Sequence, residues 1–336
     1  MQKIRCAPSE RPATYFPLNN GRYEVKTGLN VFGTDFGNGI ADRKIFQIDC
    51  EFGRYREAKL LGRQEQLSKY HCTHRYSDAL ARMTASFIAQ RLPQEHPAYF
   101  RLERSSEGAS VHCHLTGEQL VFDADMQLVT TKPENQPVSP AYASSLDALA
   151  SQIQEDVAVV TLSKHNWISA LHICFPNHWA VETKIGKDFA AVHAPVPHIT
   201  KINSRAPELV HAMVHKGPYV RFVWGLSTDQ RLNHHPDPPA GMSAQDWPGR
   251  FFDIAQPRLY LRVERQTIWG LPEAHSALFT IRTYHMDCKN LIQDTERRQK
   301  LESAIESMSL ESLAYKGLAE SKENILAWLR ADIQAN

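Results

Sequence analysis

Residues 258–284 read RLYLRVERQTIWGLPEAHSALFTIRTY, and this stretch decides the fold class of the chain. Through residues 258–268 apolar and polar side chains alternate, so that one face receives three aliphatic residues: Leu259, Leu261 and Val263. A period of two is typical of a β-strand with one buried face. The Gly-Leu-Pro sequence at 270–272 predicts a turn, and residues 276–284 return with the same alternation. The stretch therefore predicts a long antiparallel hairpin.

The rest of the chain carries helical and strand patterns in separate runs, without regular β-α-β alternation. Apolar residues recur at helical spacing in five segments: 77–93, 145–156, 206–214, 293–309 and 321–333. Strand-like patterns occupy five others: 98–103, 110–115, 119–123, 168–174 and 219–226. Three segments predict no regular element: 1–75, 131–143 and 233–250. Segregated helices and hairpins favour an α+β fold around a central antiparallel sheet.

The composition is that of an ordinary soluble protein and argues against two classes of partner. The 336 residues are 42% hydrophobic and 22% charged, and the formal net charge is +1. A near-neutral chain gives no electrostatic reason to expect nucleic acid or an anionic membrane surface as a partner. No apolar run approaches the length of a membrane span, and residues 1–6 lack a hydrophobic signal core. We therefore expect a cytoplasmic protein.

Motifs for the common redox cofactors and nucleotides are absent from the sequence. The six cysteines form no Cys-x-x-Cys pair, which argues against an iron–sulfur cluster, a zinc ribbon or a thioredoxin-type site in this chain. The sequence also lacks the glycine-rich loops that bind NAD(P)H or ATP, and it lacks a Gly-x-Ser-x-Gly nucleophile elbow. This chain is therefore not expected to bind NAD(P)H or ATP through those motifs.

His193 is the most informative of the 16 histidines, because it lies in the sequence Val-His-Ala-Pro-Val-Pro at 192–197. Proline fixes its own φ angle and pushes the preceding residue towards an extended conformation. A histidine on such a stiff backbone suits a metal ligand or a catalytic base. A rigid loop whose histidine only bonds a backbone carbonyl also explains the pattern, and spacing alone favours this structural interpretation. Four further histidines flank the same central stretch, and each alone is more typical of a structural residue: His165, His172, His178 and His198.

Two other histidine groups and three charged residues invite functional interpretation without deciding it. His112 and His114 would share a face of a strand, but no third zinc ligand lies near them in sequence. The adjacent His234 and His235 could also suggest a metal site. Charged side chains in the apolar hairpin must be paired or face a polar cavity. For the adjacent pair Glu264 and Arg265, one interpretation is that alternation places one side chain in water and the other in a structural ion pair. The other interpretation is that the hairpin lines a polar pocket. Lys184 is either a pocket cation or a solvated lysine.

Several blocks of sequence, taken in order, resemble the haem-dependent oxidative N-demethylase α-subunit family, also known as domain of unknown function 3445. The similarity covers roughly residues 20–290. It is carried by residues 153–157 (IQEDV), 175–179 (FPNHW), 184–186 (KIG), 192–197 (VHAPVP), 262–267 (RVERQT), 271–272 (LP) and 279–284 (FTIRTY). In one departure, the family's usual Arg-x-Asn-Trp appears here as Arg221-Phe222-Val223-Trp224, with valine in place of asparagine.

The resemblance implies a PAS-like haem fold, in which a curved antiparallel sheet with helices on one side holds haem b. It implies a haem domain over residues 1–290 and a helical extension over 291–336. It also implies the oxidation of dimethylamine to methylamine and formaldehyde with O2 and electrons from NADPH. In this family separate partner subunits carry the FMN, the 2Fe–2S cluster and the tetrahydrofolate site, so none of these is expected on this chain.

The resemblance also implies the residues that hold the cofactor. Haem iron needs a strong axial donor, and we expect His193 to supply it, with its second ring nitrogen oriented by a carbonyl or carboxylate. Lys184, Arg221 or Arg265 is expected to pair with the haem propionates. Trp224, at the end of the Arg-Phe-Val-Trp run, completes the expected cofactor-binding set.

The expected catalytic set lies on the hairpin. Arg262, Arg265 or Tyr284 would donate hydrogen bonds towards reduced oxygen, because such donors stabilise developing negative charge. Glu264 would hold the protonated amine near the iron. Sequence alone does not decide which of these side chains face the pocket, since a shift of one residue exchanges the two faces of a strand.

Two alternatives to an enzyme stay open at this point. A PAS-like haem protein could sense O2, CO or NO without turnover, although the sequence shows no attached signalling or DNA-binding segment. A partner-docking subunit without any cofactor is the third interpretation. Haem binding and turnover of an amine are the properties that separate the three.

Overall fold

The computed structural model describes residues 4–133, 136–164 and 166–331, and it has an α+β fold. Its larger sheet has seven strands in the order β1-β9-β10-β11-β7-β8-β2, with every neighbouring pair antiparallel. These strands are β1 (Asn30–Val31), β2 (His71–Thr73), β7 (Asp156–Thr161), β8 (Ile168–His172), β9 (Tyr219–Ser227), β10 (Tyr260–Leu271) and β11 (Ser276–Asp287). The predicted α+β class around an antiparallel sheet is confirmed.

A smaller sheet and the helices complete the fold. The smaller sheet is an antiparallel meander of β3 (Phe100–Arg104), β4 (Gly108–Cys113), β5 (Glu118–Asp123) and β6 (Leu128–Pro133). The helices are α1 (Phe52–Gln66), α2 (Asp78–Glu95), α3 (Ser145–Ala150), α4 (Phe189–His193), α5 (Thr200–Asn203), α6 (Ala206–His215), α7 (Cys288–Leu291), α8 (Thr295–Glu306), α9 (Leu310–Lys316) and α10 (Lys322–Arg330). Within the described part of the chain, no helix combines the length and apolarity that crossing a membrane requires.

The predicted hairpin is the centre of the larger sheet. Strands β10 and β11 pair along their whole length, from Tyr260 opposite Asp287 to Leu271 opposite Ser276. Since β10 also pairs with β9, its side chains lie in the middle of three neighbouring strands. Strict alternation in the sequence predicted this hairpin, and the register confirms it.

The two faces of the sheet are covered by different parts of the chain. We call the face that carries Glu264 and Ile268 the front face. Ile268 is fully buried there in an apolar cluster with side chains of α6, such as Val210. The opposite, back face carries Val263, which is buried in a cluster with Leu301 of α8. The C-terminal helices therefore pack directly on the back of the sheet.

Helix α1 contradicts the prediction that residues 1–75 contain no clear helix. Three of its cationic side chains are buried, and each finds oxygen acceptors in the neighbouring chain: Arg56, Lys59 and Arg63. Arg56 Nη2 lies 2.7 Å from a carboxylate oxygen of Glu118, and Lys59 Nζ donates to the carbonyl oxygen of Ala150 at 2.7 Å. Because the buried face carries charges, the helix lacks the apolar periodicity that reveals a helix in sequence.

Other boundaries differ from prediction for local reasons. Helix α2 begins after Ser77 as predicted, because the Ser77 side chain accepts a hydrogen bond from the Leu80 amide. It runs two residues past Pro93 and ends at Glu95. The predicted helix 145–156 ends at Ala150, and the following apolar run forms β7 instead.

Candidate functional site

His193 is the last residue of the short helix α4, which begins after Asp188. The Asp188 side chain accepts a hydrogen bond from the Ala191 amide at 2.7 Å and so caps the helix. The prolines after His193 therefore follow a helix end, and the expected extended conformation is wrong: Ala194 still has helical φ and ψ angles. The stiffness around His193 comes from the capped turn that holds it.

The ring of His193 is oriented by its own helix. Its Nδ1 atom lies 2.7 Å from the carbonyl oxygen of Phe189, and the two rings pack with centroids 4.2 Å apart. A carbonyl oxygen only accepts hydrogen bonds, so Nδ1 carries the proton and Nε2 keeps its lone pair. Burial, together with the charges of Arg221 and Lys184, lowers the pKa of His193. The side chain is therefore a neutral imidazole whose Nε2 lone pair is available to a ligand or metal ion.

Lys184 and Arg221 lie beside His193 although they come from different elements. Lys184 follows the 3-10 helix Val181–Thr183, and its Nζ donates to the carbonyl oxygen of Val192 at 2.6 Å. Arg221 projects from the front face of β9, and its Nη2 donates to the carbonyl oxygen of Lys26 at 3.4 Å. The structure thus brings together three of the four residues predicted to bind the cofactor. We call these residues, His193, Lys184 and Arg221, the His193 cluster.

The guanidinium of Arg221 has unused hydrogen-bonding capacity. Its Nε atom is buried and has no hydrogen-bond partner among the described residues. Burial lowers the pKa of Arg221, and the carboxylate of Glu264 opposes that shift. A buried cation with an unsatisfied donor is costly unless an anion or another acceptor meets it. The position is therefore suited to an acidic group of a ligand.

Glu264 projects from the front face of β10 in the next row of the sheet. Its Oε2 accepts a hydrogen bond from Gln266 Nε2 at 3.0 Å, and its Oε1 lies 3.9 Å from Arg262 Nε. The side chain is 13% exposed. Glu264 therefore presents a partly accessible carboxylate, held by one amide, on the same face as Arg221.

Arg262 shares this face, but its guanidinium is already committed to the backbone. Nη1 donates to the carbonyl oxygen of Leu232 at 3.0 Å, and Nη2 donates to that of Phe175 at 2.7 Å. The side chain is almost completely buried. These two bonds attach the segments around Phe175 and Leu232 to the sheet. Only the Nε atom of Arg262 points towards Glu264.

Arg265, Tyr284 and Trp224 lie on the back face, away from His193. Arg265 opposes Arg282 in the hairpin, and its Nη2 donates to the carbonyl oxygen of Lys44 at 2.9 Å. The Tyr284 hydroxyl donates to the side chain of Gln47, and burial raises its pKa well above the usual value. Trp224 packs in the cluster that holds the C-terminal helices. The structure therefore does not bring these three predicted residues to the site.

Lys316, at the end of α9, was missed by the sequence analysis. Its Nζ donates to the carbonyl oxygen of Trp224 at 2.8 Å, where β9 has no further strand beside it in the described sheet. Burial lowers the pKa of Lys316 to about 8, and the nearby carboxylate of Glu264 opposes the shift. Arg250 packs over Gly317 next to it, since a Cβ added at Gly317 would lie 2.2 Å from Arg250 Cδ. No sequence signal marks Lys316, because it lies 52 positions after Glu264.

The other histidines of the central stretch are engaged elsewhere. His172 is buried and its Nε2 lies 3.1 Å from Asp147 Oδ1, whereas the exposed His198 is hydrogen-bonded to Ser309. His178 stacks on His234 with ring centroids 5.3 Å apart. His165 lies outside the described residues. Among the described candidates, His193 is the one that lies beside Arg221 and Lys184, whereas the cations near His178 are Arg250 and Arg262.

An open groove of about 480 Å³ lies between the N-terminal segment and the C-terminal helices, with Tyr23, Lys26, His198 and Ser309 among its lining residues. Arg221 donates to the carbonyl oxygen of Lys26, so the groove and the site share this segment. His193, Lys184, Arg221 and Glu264 themselves do not line the groove.

The donor set fits a haem. A free imidazole nitrogen can coordinate iron axially, two cations stand where acidic side groups could meet them, and apolar residues back the site on the front face. Phe279 and Ile281 of β11 belong to this apolar lining. These residues therefore match the chemical demands of an iron porphyrin with two carboxylates.

A comparison with protein families agrees with the site. The family model described as "Haem-dependent oxidative N-demethylase, alpha subunit-like" matches residues 38–326, which include every residue of the cluster and α9. The description names haem as the cofactor and oxidative N-demethylation as the reaction, and an alpha subunit implies a multi-subunit complex. The match confirms the family resemblance seen in the sequence blocks. The chain belongs to the haem-dependent oxidative N-demethylase, alpha subunit-like family.

Proposed function

We propose that this chain is the haem-binding subunit of a dimethylamine monooxygenase. The overall reaction would convert dimethylamine, O2, NADPH and a proton into methylamine, formaldehyde, NADP⁺ and water. The observation that carries the proposal is the neutral imidazole of His193, with a free Nε2, beside the cations Arg221 and Lys184 on the front face. Haem b, when bound, supplies the oxygen-dependent chemistry at the methyl group.

In this proposal His193 would coordinate the haem iron through Nε2. The carbonyl oxygen of Phe189 keeps Nδ1 protonated and fixes the ring plane. Arg221 and Lys184 pair with the propionates, and the unsatisfied Nε of Arg221 gives one of them a donor. The sheet and the helices on its front face would correspond to the PAS-like architecture.

Glu264 binds the substrate in the proposal. A secondary amine carries a proton at neutral pH, and a carboxylate that is mostly buried pairs well with such a cation. Gln266 fixes one carboxylate oxygen and leaves the other towards Arg262 Nε at 3.9 Å, so the carboxylate has a defined orientation. Before the amine can be attacked at carbon, its proton has to be held or removed, and Glu264 is placed to accept it.

The electrons come from other subunits in this proposal. The sequence has neither the Cys-x-x-Cys spacing nor the glycine-rich loops expected for an electron-supplying cofactor. A reductase subunit with FMN and a 2Fe–2S cluster would deliver NADPH-derived electrons, and a tetrahydrofolate-binding subunit would receive formaldehyde. We place this assembly in the cytoplasm, where NADPH is available.

An absorption spectrum of the purified protein, with and without dimethylamine, tests the proposal first. We expect a Soret band that shifts when the amine is added, and formaldehyde when a competent reductase and NADPH are supplied. A protein with intact haem but no formaldehyde would be a sensor. A protein that shows no Soret band after haem supplementation would be a docking subunit without cofactor.

A further inference from the structure

Three side chains of metal-binding type converge outside the His193 cluster. Glu182 belongs to the 3-10 helix Val181–Thr183, whereas His235 and Asp237 belong to the irregular connection between β9 and β10. One ligand atom from each lies within 4.8 Å of the other two. None of the three takes part in the proposed haem or amine chemistry.

The buried imidazole is what distinguishes this group from an ordinary acidic cluster. The His235 side chain is 0% exposed, and its Nε2 has no hydrogen-bond partner among the described residues. The same atom lies 3.9 Å from Glu182 Oε2. A buried polar atom without a partner is unfavourable, and here it points at a carboxylate that reaches the surface. A ligand bound between Nε2 of His235 and the carboxylate oxygens would give this nitrogen a partner.

We propose that Glu182, His235 and Asp237 bind a divalent first-row metal ion of the zinc class. One imidazole nitrogen and two carboxylate oxygens form a donor set that such borderline ions accept, and water completes the coordination. The donor atoms lie up to 4.8 Å apart, so a tetrahedral ion would draw the two exposed carboxylates towards the buried imidazole. The two carboxylates supply the negative charge that a dication requires.

The other ring nitrogen of His235 explains how the site switches between its metal-free and metal-bound forms. The Asp237 amide donates to Nδ1 at 3.0 Å, so without metal the ring proton is on Nε2 and faces Glu182. The Asp237 carbonyl oxygen lies 3.3 Å from the same Nδ1. Metal binding moves the proton from Nε2 to Nδ1, which then donates to that carbonyl oxygen. The hydrogen bond from the Asp237 amide to Nδ1 is then lost.

The neighbouring charged and thiol groups are compatible with this role. Lys69 donates to the Asp237 carbonyl oxygen at 3.1 Å, and the Glu65 carboxylate balances its charge. Burial and the nearby charge of Glu182 raise the pKa of Cys72, which favours its thiol form over a competing thiolate ligand. The bound ion would tie the segment after β8 to the long β9–β10 connection.

Zinc binding to tag-free holoprotein tests the inference. The protein is dialysed against zinc chloride, and zinc and iron per chain are measured in the same sample by mass spectrometry. We expect about one zinc per chain in the wild type, and Glu182→Gln to weaken binding by roughly tenfold or more. Glu182 is half exposed, so this variant should fold normally. His235→Ala should abolish the same binding.

A surface histidine pair provides the matched control. His211 and His215 are exposed one turn apart on α6, with ring centroids 4.7 Å apart, and such pairs bind zinc weakly. His211→Ala should keep the zinc that His235→Ala loses. Equal zinc in wild type, Glu182→Gln and His235→Ala, or none in the wild type, would overturn the inference. The iron content reports haem separately, so failure of the zinc site and failure of the proposed function remain distinguishable.

Discussion

His193 Nδ1 lies 2.7 Å from the carbonyl oxygen of Phe189, one turn earlier in the same short helix. The contact sets the tautomer of the ring, since the carbonyl can accept only from a protonated Nδ1. It also fixes the direction in which Nε2 points. A five-residue helix thereby orients the Nε2 atom of His193 without help from a distant part of the chain.

Replacing His193 by alanine should abolish or strongly weaken haem binding. The variant removes the free Nε2, and no other histidine among the described residues shares its position beside Arg221 and Lys184. Haem titration followed at the Soret band measures the effect. His198→Ala is the matched control, because His198 is exposed and bonded to Ser309. An unchanged spectrum in His193→Ala would show that another side chain coordinates the haem iron.

Glu264→Gln should weaken dimethylamine binding more than it weakens haem retention. The amide keeps the size of the side chain and its contact with Gln266 but loses the charge that pairs with the ammonium. Spectral titration of the holoprotein with dimethylamine gives the dissociation constant, which we expect to rise at least roughly tenfold. Glu273→Gln, at an exposed turn position, serves as control. Parallel loss of haem and amine binding would make Glu264 a structural residue.

Arg265→Met should lower stability without a specific effect on amine binding. Its guanidinium holds the backbone carbonyl oxygens of Lys44 and Asp42 against the back face. Loss of these bonds leaves buried acceptors unsatisfied, at a cost of about 1–3 kcal/mol. Urea denaturation measures the change in unfolding free energy. A normal unfolding curve combined with a raised dissociation constant for the amine would instead bring Arg265 into the site.

His96 should make the protein less stable as the pH falls below 6.5. Burial lowers the pKa of His96 to about 4, although its bond to the Phe46 carbonyl oxygen opposes the shift. Between pH 6.5 and 4 the unfolded chain binds a proton at this residue and the folded chain does not, so stability decreases on acidification. The loss is on the order of 3 kcal/mol. His96→Gln should flatten this part of the stability profile relative to wild type.

Lys316 should influence amine binding through its charge. Its pKa is lowered to about 8, so it loses its proton in a range where dimethylamine is still cationic. The positive groups that act on Glu264 are Arg221, Arg262 and Lys316 itself, and Arg250 acts on Lys316. We expect affinity for the amine to increase as the pH rises through 8. Lys316→Met should bind the amine roughly two- to tenfold more tightly at pH 7 and lose this pH dependence. A profile identical to wild type would exclude the interaction.

The sequence predicted the parts of the fold that follow a simple period. Strict alternation identified the hairpin and placed Glu264 and Arg265 on opposite faces, which the register confirms. The alternation of apolar and polar residues does not show which face of the sheet lines the site, because both faces are covered by helices. Helix α1 was not predicted, since its buried face is cationic and depends on acceptors from the distant Glu118 and Ala150.

The site was predictable only in part for a similar reason. The blocks that resemble the family identified His193, Lys184 and Arg221, which the structure places together. Arg265 and Tyr284 belong to the same blocks but point to the back face, where they bond to residues 42–47. Lys316 lies in α9, between the two predicted C-terminal helical segments, and no pattern there indicates a charge next to Glu264.

The position of Lys316 decides where the protein can be cut for expression. A fragment that stops at residue 290 would keep every strand of the sheet, yet it would leave the Trp224 carbonyl oxygen and the border of β9 uncovered. Such a fragment would also lack the ammonium of Lys316, which interacts electrostatically with Glu264. A fragment chosen for assay should therefore extend through α9, so that both contacts are kept.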